Sequence, residues 1–200
     1  MNISILVEGK TELAFKEHLH RFLKTRVSGR MPRLRFISYD GRIPKGDKLR
    51  SVVINLLKDR YDAVIALTDV YTGIDDFADP ADAKAKMRQW VGHIPEFHPH
   101  VANRDFEAWL LPYWPEIQKL ASHNKSAPGI HPEKVNNTKP PSYHIKAIFE
   151  AGKSRRSYNK PRDAHRILKG RDLSISAQAS PELKKFLNTI LKCAGGELIS

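Results

Sequence analysis

The sequence predicts an α/β fold in which about four mainly parallel strands are flanked by helices and followed by a helical C-terminal part. Between residues 2 and 69, short apolar runs alternate with segments of helical periodicity. This alternation is typical of parallel strands joined by right-handed crossovers. Two of the strand-like runs end on carboxylates, Glu8 and Asp69, so we expect one edge of the sheet to carry the functional side chains.

The first strand is predicted at 2–7, and it leads through a glycine into the first helix. Thr11 is suited to cap this helix, and Glu12 would lie near its positive end. Apolar residues then recur at the spacing of one buried helical face: Phe15, Leu19, Phe22 and Leu23.

The remaining elements follow from the same periodicities. Strands are predicted at 34–39, 62–69 and 97–101, and helices at 48–60 and 82–92, with a further helix starting at Asn103 or Asp105. After residue 113, short helices are predicted at 115–122, 143–150 and 161–169, and a last helix has Ser180 as its cap, Pro181 at its first position and Gly195 as its terminator. We therefore expect one domain over 1–200, with an α/β core at about 1–112 and a helical extension at about 113–200.

The charge of the chain favours polyanionic partners. The formal net charge is +12 and the sequence pI is about 9.8, which favours nucleic acid first and an anionic membrane surface second. The basic residues are concentrated between residues 146 and 171. No apolar run is long enough to cross a membrane. The sequence opens with a predicted strand and not with the charged, apolar and small-residue pattern of a signal peptide, so a cytoplasmic protein is expected. Cys193 is the single cysteine and is interpreted as a packing residue.

The carboxylates are the sharpest functional signal. Acidic side chains at adjacent strand ends repel one another unless a cation neutralises them. Mg²⁺ and Mn²⁺ take oxygen ligands from a few carboxylates, water and substrate phosphate. Glu8 and Asp69 are therefore predicted to form a metal site, with Glu12 and Glu107 nearby. The alternative is that Glu8 and Glu12 only cap a helix and Asp69 only starts a loop.

Other chemistry is weakly supported. The tripeptide 9–11, Gly-Lys-Thr, lacks the five residues that a nucleotide phosphate loop places between its first glycine and its lysine. No serine lies in a G-x-S-x-G turn. The nine histidines include no convincing three-ligand zinc pattern, although His98 and His100 share one face of a possible strand.

The opening of the chain resembles the start of a Toprim domain. Toprim is the metal-dependent module of topoisomerases, primases, ribonuclease-M-type maturases and overcoming-lysogenization-defect nucleases. More closely, the chain is similar to an uncharacterised bacterial Toprim-like family of about this length. The matching pieces are 7–12, 68–73 with 76–77, 100–101 with 106–111, 141–143 and 158–160.

One position departs from the Toprim pattern. Toprim enzymes carry Asp-x-Asp after the third strand, whereas the second acid is replaced here by Tyr71. Asp75, Asp76 or Glu107 is expected to supply the missing ligand. Alternatively, the site holds one metal ion or has lost catalysis.

The resemblance implies roles for individual side chains. Mg²⁺ (or Mn²⁺) would be held by Glu8 and Asp69, with Asp76 and Glu107 as further ligand candidates. The catalytic set would be Glu8, Glu12, Asp69 and Lys160, with Lys160 near the leaving oxygen. Phosphates would be bound by a basic set with one possible stacking ring: Lys10, Arg104, Lys153, Arg155, Arg156, Tyr158 and Arg162.

The function implied is a Mg²⁺- or Mn²⁺-dependent nuclease or phosphodiesterase. Its substrate would be nucleic acid, DNA in preference to RNA, and a separately encoded P-loop ATPase would be its partner in phage defence. The alternative is a catalytically degenerate Toprim-like subunit that binds nucleic acid or regulates an ATPase complex. An RNA-processing nuclease of the maturase kind is a third possibility.

Overall fold

The computed structural model describes residues 1–70, 76–135, 139–153 and 156–200. Within these ranges, four strands form one sheet in the order β2-β1-β3-β4: β1 (Asn2–Val7), β2 (Arg33–Ser38), β3 (Ala63–Val70) and β4 (Phe97–Asn103). Every neighbouring pair is parallel. The predicted fold class is thereby confirmed.

The helices flank this sheet and continue beyond it. They are α1 (Lys10–Lys24), α2 (Gly46–Lys58), α3 (Pro80–Val91), α4 (Trp114–Ala121), α5 (Pro141–Ala151), α6 (Lys160–Leu168), α7 (Leu173–Ala179) and α8 (Pro181–Ala194). Two 3₁₀ segments lie at Phe106–Tyr113 and Pro132–Lys134. None of the described helices is both long enough and apolar enough to cross a bilayer.

Two local expectations are wrong, and one helix was not predicted. Gly9, not Thr11, is the residue that precedes the first helical turn, and Thr11 is buried inside it. The segment after Asp105 is a 3₁₀ helix and not an α-helix; it contains Pro112, which has no N–H to donate. Helix α7 was not predicted, because seven residues are too few to show a helical period.

Two apolar clusters cover the two faces of the sheet. On one face, Ile3 and Ile65 share a cluster with residues of the C-terminal helices, such as Phe186 and Ile190. On the other face, Leu6 packs with the inner residues of α2 and α3. The C-terminal helices therefore bury their apolar faces on the sheet, while the division at about residue 112 stays a prediction.

The tryptophans and the cysteine lie in packed positions. Trp109 and Trp114 are buried, and half-buried Trp90 packs against the second cluster. Cys193 packs against the first cluster, and burial raises the pKa of its thiol. This environment favours a packing role for Cys193 over a nucleophilic one.

Gly152 allows α5 to end directly against α4. A Cβ atom at this position would lie 1.9 Å from the carbonyl oxygen of Ala121, so the backbone would have to move. We expect Gly152→Ala to lower the free energy of unfolding by about 3 kcal/mol, measured by urea denaturation. Gly29→Ala is the matched control, because a Cβ atom there meets nothing within 4 Å. Equal stability of the two variants would contradict this packing.

Candidate active site at the carboxyl edge of the sheet

Glu8 and Asp69 lie next to each other at the carboxyl edge of the sheet. Glu8 follows β1, Asp69 is the second-last residue of β3, and these strands are parallel neighbours. The Asp69 N–H is 3.4 Å from Glu8 Oε1, and the Thr68 hydroxyl donates a hydrogen bond to the same oxygen. The sheet topology alone is therefore enough to bring the two predicted residues to neighbouring positions at this edge.

Glu12 completes the acidic group that follows β1. It lies in the first turn of α1, and its Oε2 accepts a hydrogen bond of 3.2 Å from the Gly9 N–H. Burial raises the pKa of Glu12. Burial also raises the pKa of Glu8, with the Glu12 charge adding to the shift and the Thr68 hydrogen bond and Arg42 opposing it. The site thus holds buried carboxylates that a cation would stabilise.

The chain leaving β4 adds two more buried acids. Arg104 has a left-handed backbone, with φ of 81°, and its N–H donates to the Val70 carbonyl at 3.0 Å. Asp105 follows and is fully buried; its Oδ2 accepts from the Ser142 N–H at 3.1 Å, while Oδ1 has no hydrogen-bond partner among the described residues. Glu107 lies in the 3₁₀ segment and is 1% exposed.

Lys160 brings a positive charge into this group of acids. It is the first residue of α6, and its Nζ lies 3.2 Å from both carboxylate oxygens of Glu107. Burial alone would lower the pKa of Lys160, but Glu107, Asp105 and Asp69 together raise it. Lys160 is distant in sequence from the acids, and the position of α6 places it at the carboxyl edge of the sheet.

The carboxyl group of Glu107 has a pKa near neutrality. Burial first, and then the neighbouring Asp105 charge, raise the pKa of Glu107 to about 7, although Lys160 opposes them. The Tyr158 hydroxyl lies 3.4 Å from Glu107 Oε1. The Glu107 carboxylate therefore lies between the ammonium of Lys160 and the hydroxyl of Tyr158. Its contacts with Lys160 hold the ammonium in place.

Asp76 is linked to Glu8 through Arg42, which pairs with Asp76 and whose charge also acts on Glu8. It pairs with Arg42 at 2.7 Å and with Lys45 at 2.6 Å, and the hydrogen bond from Lys45 lowers the pKa of Asp76. Two cations thus already neutralise this candidate ligand. Tyr71 and Asp75, on which the departure from Asp-x-Asp depends, lie outside the described residues.

The donor set fits a divalent cation held by two carboxylates. Mg²⁺ in phosphate-handling sites is commonly bound by one or two carboxylates, with water and substrate phosphate completing the octahedron. Glu8 and Asp69, at the ends of neighbouring strands, are the two carboxylates that would hold such an ion. Within residues 1–70, 76–135, 139–153 and 156–200, no three His, Cys, Asp or Glu side chains are placed to hold a metal ion together. A closed three-ligand site is therefore not formed by this part of the chain.

The predicted nucleic-acid contacts differ in their exposure. Lys10 and Lys153 are exposed and Arg104 is half-buried, whereas Arg155 is outside the described residues. The ring of Tyr158 packs against Phe149 with centroids 5.4 Å apart, so it is already engaged inside the fold.

Buried Asp163 organises the basic residues of this region. Its carboxylate pairs with Arg156 at 3.3 Å and with Arg162 at 3.0 Å, and it accepts the Asn159 N–H at 2.8 Å. Arg166 is 3.9 Å away. One carboxylate thus fixes several guanidinium groups, leaving an excess of positive charge beside Lys160.

Several residues of the site were not predicted in these roles. Asp105 was proposed only as a helix cap, and neither Thr68 nor Arg42 was singled out. The signal for Asp105 was its position two residues before Glu107 and just after a strand. Arg42 carried no such signal, because its approach to Glu8 depends on the path of the loop after β2.

Comparison with known proteins places the chain in a family. The C-terminal region of the Burkholderia pseudomallei OLD protein has a similar fold, with a TM-score of 0.54 and 13% identity over 96% of this chain and 98% of that one. No curated protein is significantly similar in sequence. Residues 7–191 match the family described as Domain of unknown function (DUF4276). Because this match spans most of its length, the chain belongs to the DUF4276 family.

Proposed function

We propose that this protein is a Toprim-like, Mg²⁺- or Mn²⁺-dependent nuclease that cleaves phosphodiester bonds in nucleic acid. The observation that carries the proposal is the Glu8–Asp69 pair at the carboxyl edge of the parallel sheet. Open α/β sheets bind their ligands at this edge. The similar fold of the OLD C-terminal region supports the proposal. The resemblance of the sequence to the Toprim module of overcoming-lysogenization-defect nucleases is a second, separate support.

In this mechanism Glu8 and Asp69 hold the divalent cation. The bound ion would supply Lewis-acid stabilisation of the charge that grows on the phosphoryl oxygens. Glu12 is positioned beside Glu8, and its carboxylate would accept a proton from the attacking water, since its raised pKa makes it a better base than an exposed glutamate. Asp76 and Glu107 are given no metal in this mechanism, because Asp76 already pairs with Arg42 and Lys45, and Glu107 with Lys160.

Lys160 would stabilise the leaving oxygen, and Glu107 would hold Lys160 in place. The two 3.2 Å contacts between them fix the ammonium at the edge of the acidic group. A preorganised cation stabilises developing negative charge more effectively than one that must be ordered during the reaction. Tyr158 supports this arrangement through its contact with Glu107.

The proposed substrate is DNA in preference to RNA. The net charge of +12 favours a polyanion. Lys10, Arg104, Lys153, Arg155, Arg156 and Arg162 are proposed to contact its phosphates. The sequence has no complete nucleotide phosphate loop, so a separately encoded P-loop ATPase is proposed as the partner, in a phage-defence role that the OLD resemblance suggests.

A second candidate function is that of a catalytically degenerate subunit that binds nucleic acid or regulates the ATPase. The observation that favours it is the Lys160–Glu107 ion pair, in which the ammonium of Lys160 already neutralises an acid predicted as a metal ligand. In this case the carboxyl edge would bind phosphates without cleaving them.

The discriminating experiment exposes the protein to supercoiled, linear and single-stranded DNA and to RNA. Each substrate is incubated with Mg²⁺, with Mn²⁺ and with EDTA, and metal binding is measured by calorimetric titration. A nuclease should cleave at least one substrate when Mg²⁺ or Mn²⁺ is present, should cleave none in EDTA, and should bind the metal ion. Absence of cutting on every substrate would contradict the nuclease proposal. Absence of both cutting and metal binding would favour the degenerate subunit.

A further inference from the structure

A cavity of about 370 Å³ lies between the C-terminal half of α1 and the segment that enters α7. Three arginines line it: Arg21, Arg26 and Arg171. Its volume falls within the range of small-molecule sites. The cavity is remote from the carboxylates, because Arg21 lies 11 residues, or about 17 Å, along α1 from Lys10.

Arg21 is held in place by a neutral partner. Its Nη2 lies 2.7 Å from Nδ1 of His18. His18 is 1% exposed, and burial, aided by the His165 and Arg21 charges, lowers its pKa to about 4. The uncharged imidazole accepts the hydrogen bond at Nδ1 and directs its Nε2–H to His165 Nδ1 at 3.2 Å. His18 therefore orients Arg21 without cancelling its charge.

Arg26 is also held by neutral groups. Its Nη2 donates to the Ser174 hydroxyl at 3.1 Å, and its guanidinium lies over the Phe22 ring, 5.3 Å from the centroid. Among the ion pairs of the described residues, no carboxylate pairs with Arg21 or Arg26. Arg21 and Arg26 therefore line the same cavity, and neither forms an ion pair with a carboxylate of the described residues.

The other charged groups of the cavity do not cancel this excess. Arg171 pairs with Glu116 at 3.1 Å, which accounts for its charge. The carboxylate of Asp172 accepts the Ser174 N–H at 2.9 Å, as the cap of α7. The Asp172 carboxylate keeps its negative charge and offsets part of the charge of Arg21 and Arg26, but the charged groups of the cavity together remain net positive, which favours an anion.

We propose that this cavity binds a phosphate group, carried either by a free nucleotide or by a nucleic-acid strand. Guanidinium forks match phosphate oxygens in two parallel hydrogen bonds, and arginine is preferred over lysine wherever such planar recognition is needed. Neutral partners keep both forks oriented before binding, which lowers the entropic cost of capture. The site is separate from the proposed nuclease centre and does not depend on it.

The test is calorimetric titration of the full chain in EDTA buffer, so that metal at the carboxylates makes no contribution. The probes are inorganic phosphate, 5′-AMP and a short single-stranded DNA oligonucleotide. The variants are Arg21→Gln with Arg26→Gln, Arg21→Lys with Arg26→Lys, and the control Arg30→Gln, which removes one charge from an exposed position outside the cavity.

We expect 5′-AMP or the oligonucleotide to bind, and both double variants to weaken that binding at least about tenfold while Arg30→Gln leaves it unchanged. Binding of 5′-AMP identifies a nucleotide as the source of the phosphate, and binding of the oligonucleotide alone identifies a strand. The double lysine variant keeps both positive charges but loses the guanidinium groups. If it binds the probe as tightly as the unmodified protein, the proposal is overturned. Failure of every probe to bind, or equal loss in Arg30→Gln, would overturn it as well.

Discussion

Glu8→Gln and Asp69→Asn are each expected to reduce metal-dependent cleavage of nucleic acid by about 10³-fold. Both substitutions keep the size of the side chain but remove the negative oxygen that a divalent cation requires. In the proposed mechanism the bound ion would stabilise charge in the transition state, and loss of such stabilisation costs roughly two to three orders of magnitude in rate. The measurement is the initial rate of cleavage of the preferred substrate in Mg²⁺ and in Mn²⁺.

Glu8→Gln is not expected to weaken the fold. Burial and the Glu12 charge both raise the pKa of Glu8, which shows that its negative charge is poorly stabilised without a metal ion. Glu8→Gln removes that charge, and the amide oxygen can still accept from Thr68. Thermal unfolding of the metal-free protein should therefore occur at the same or a slightly higher temperature.

Glu17→Gln is the matched control for this prediction. Glu17 lies on α1, as Glu12 does, but its side chain is 71% exposed and its one ion pair is with His165 at 3.8 Å. We expect it to cleave at the rate of the unmodified protein. If Glu8→Gln and Asp69→Asn also cleave at that rate, the carboxyl edge is not the active centre.

Acid should destabilise the fold through two buried histidines, His100 and His18. Burial, the largest cause, lowers the pKa of His100 to about 3 and that of His18 to about 4, from 6.5 in an unfolded chain. Above pH 6.5 both are neutral in either state, so they impose no penalty. As the pH falls below 6.5, the unfolded chain takes up protons that the folded chain cannot, and stability is lost until the folded pKa is reached. At pH 5 each histidine should cost about 2 kcal/mol.

The effect is best measured as a difference between proteins. Burial raises the pKa of Glu107 and of Glu133 to about 7 each, so their protonation favours the folded state as the pH falls and partly masks the histidines. His100→Gln removes one titrating group and can still bond Thr189, which lies 2.9 Å from His100 Nε2.

The stability gap between the original protein and His100→Gln should therefore narrow by about 2 kcal/mol between pH 7 and pH 5. Urea denaturation at each pH gives the two free energies of unfolding. His93→Gln is the control for the substitution itself, because it replaces an imidazole at an exposed position. A constant gap for His100→Gln would contradict the shifted pKa.

The sequence by itself determined the sheet and the central pair of the candidate site. The apolar runs of β1 and β3 each end at a carboxylate, and parallel pairing places both strand ends at one edge. No knowledge of side-chain contacts was needed to bring Glu8 and Asp69 together, because strand polarity and adjacency are enough. Strand β4 was also predicted despite Pro99, which the sheet tolerates because β4 lies at its edge.

Only the tertiary structure decided how the remaining charges are arranged. Glu107 and Lys160 are 53 residues apart, and their contact depends on how α6 packs on α1 and on the 3₁₀ segment. The burial of Asp105 and the pairing of Asp76 with Arg42 likewise depend on loop paths that carry no periodic signal. The physical reason is that local patterns specify which face of an element is buried, whereas the approach of distant charges is set by packing between elements.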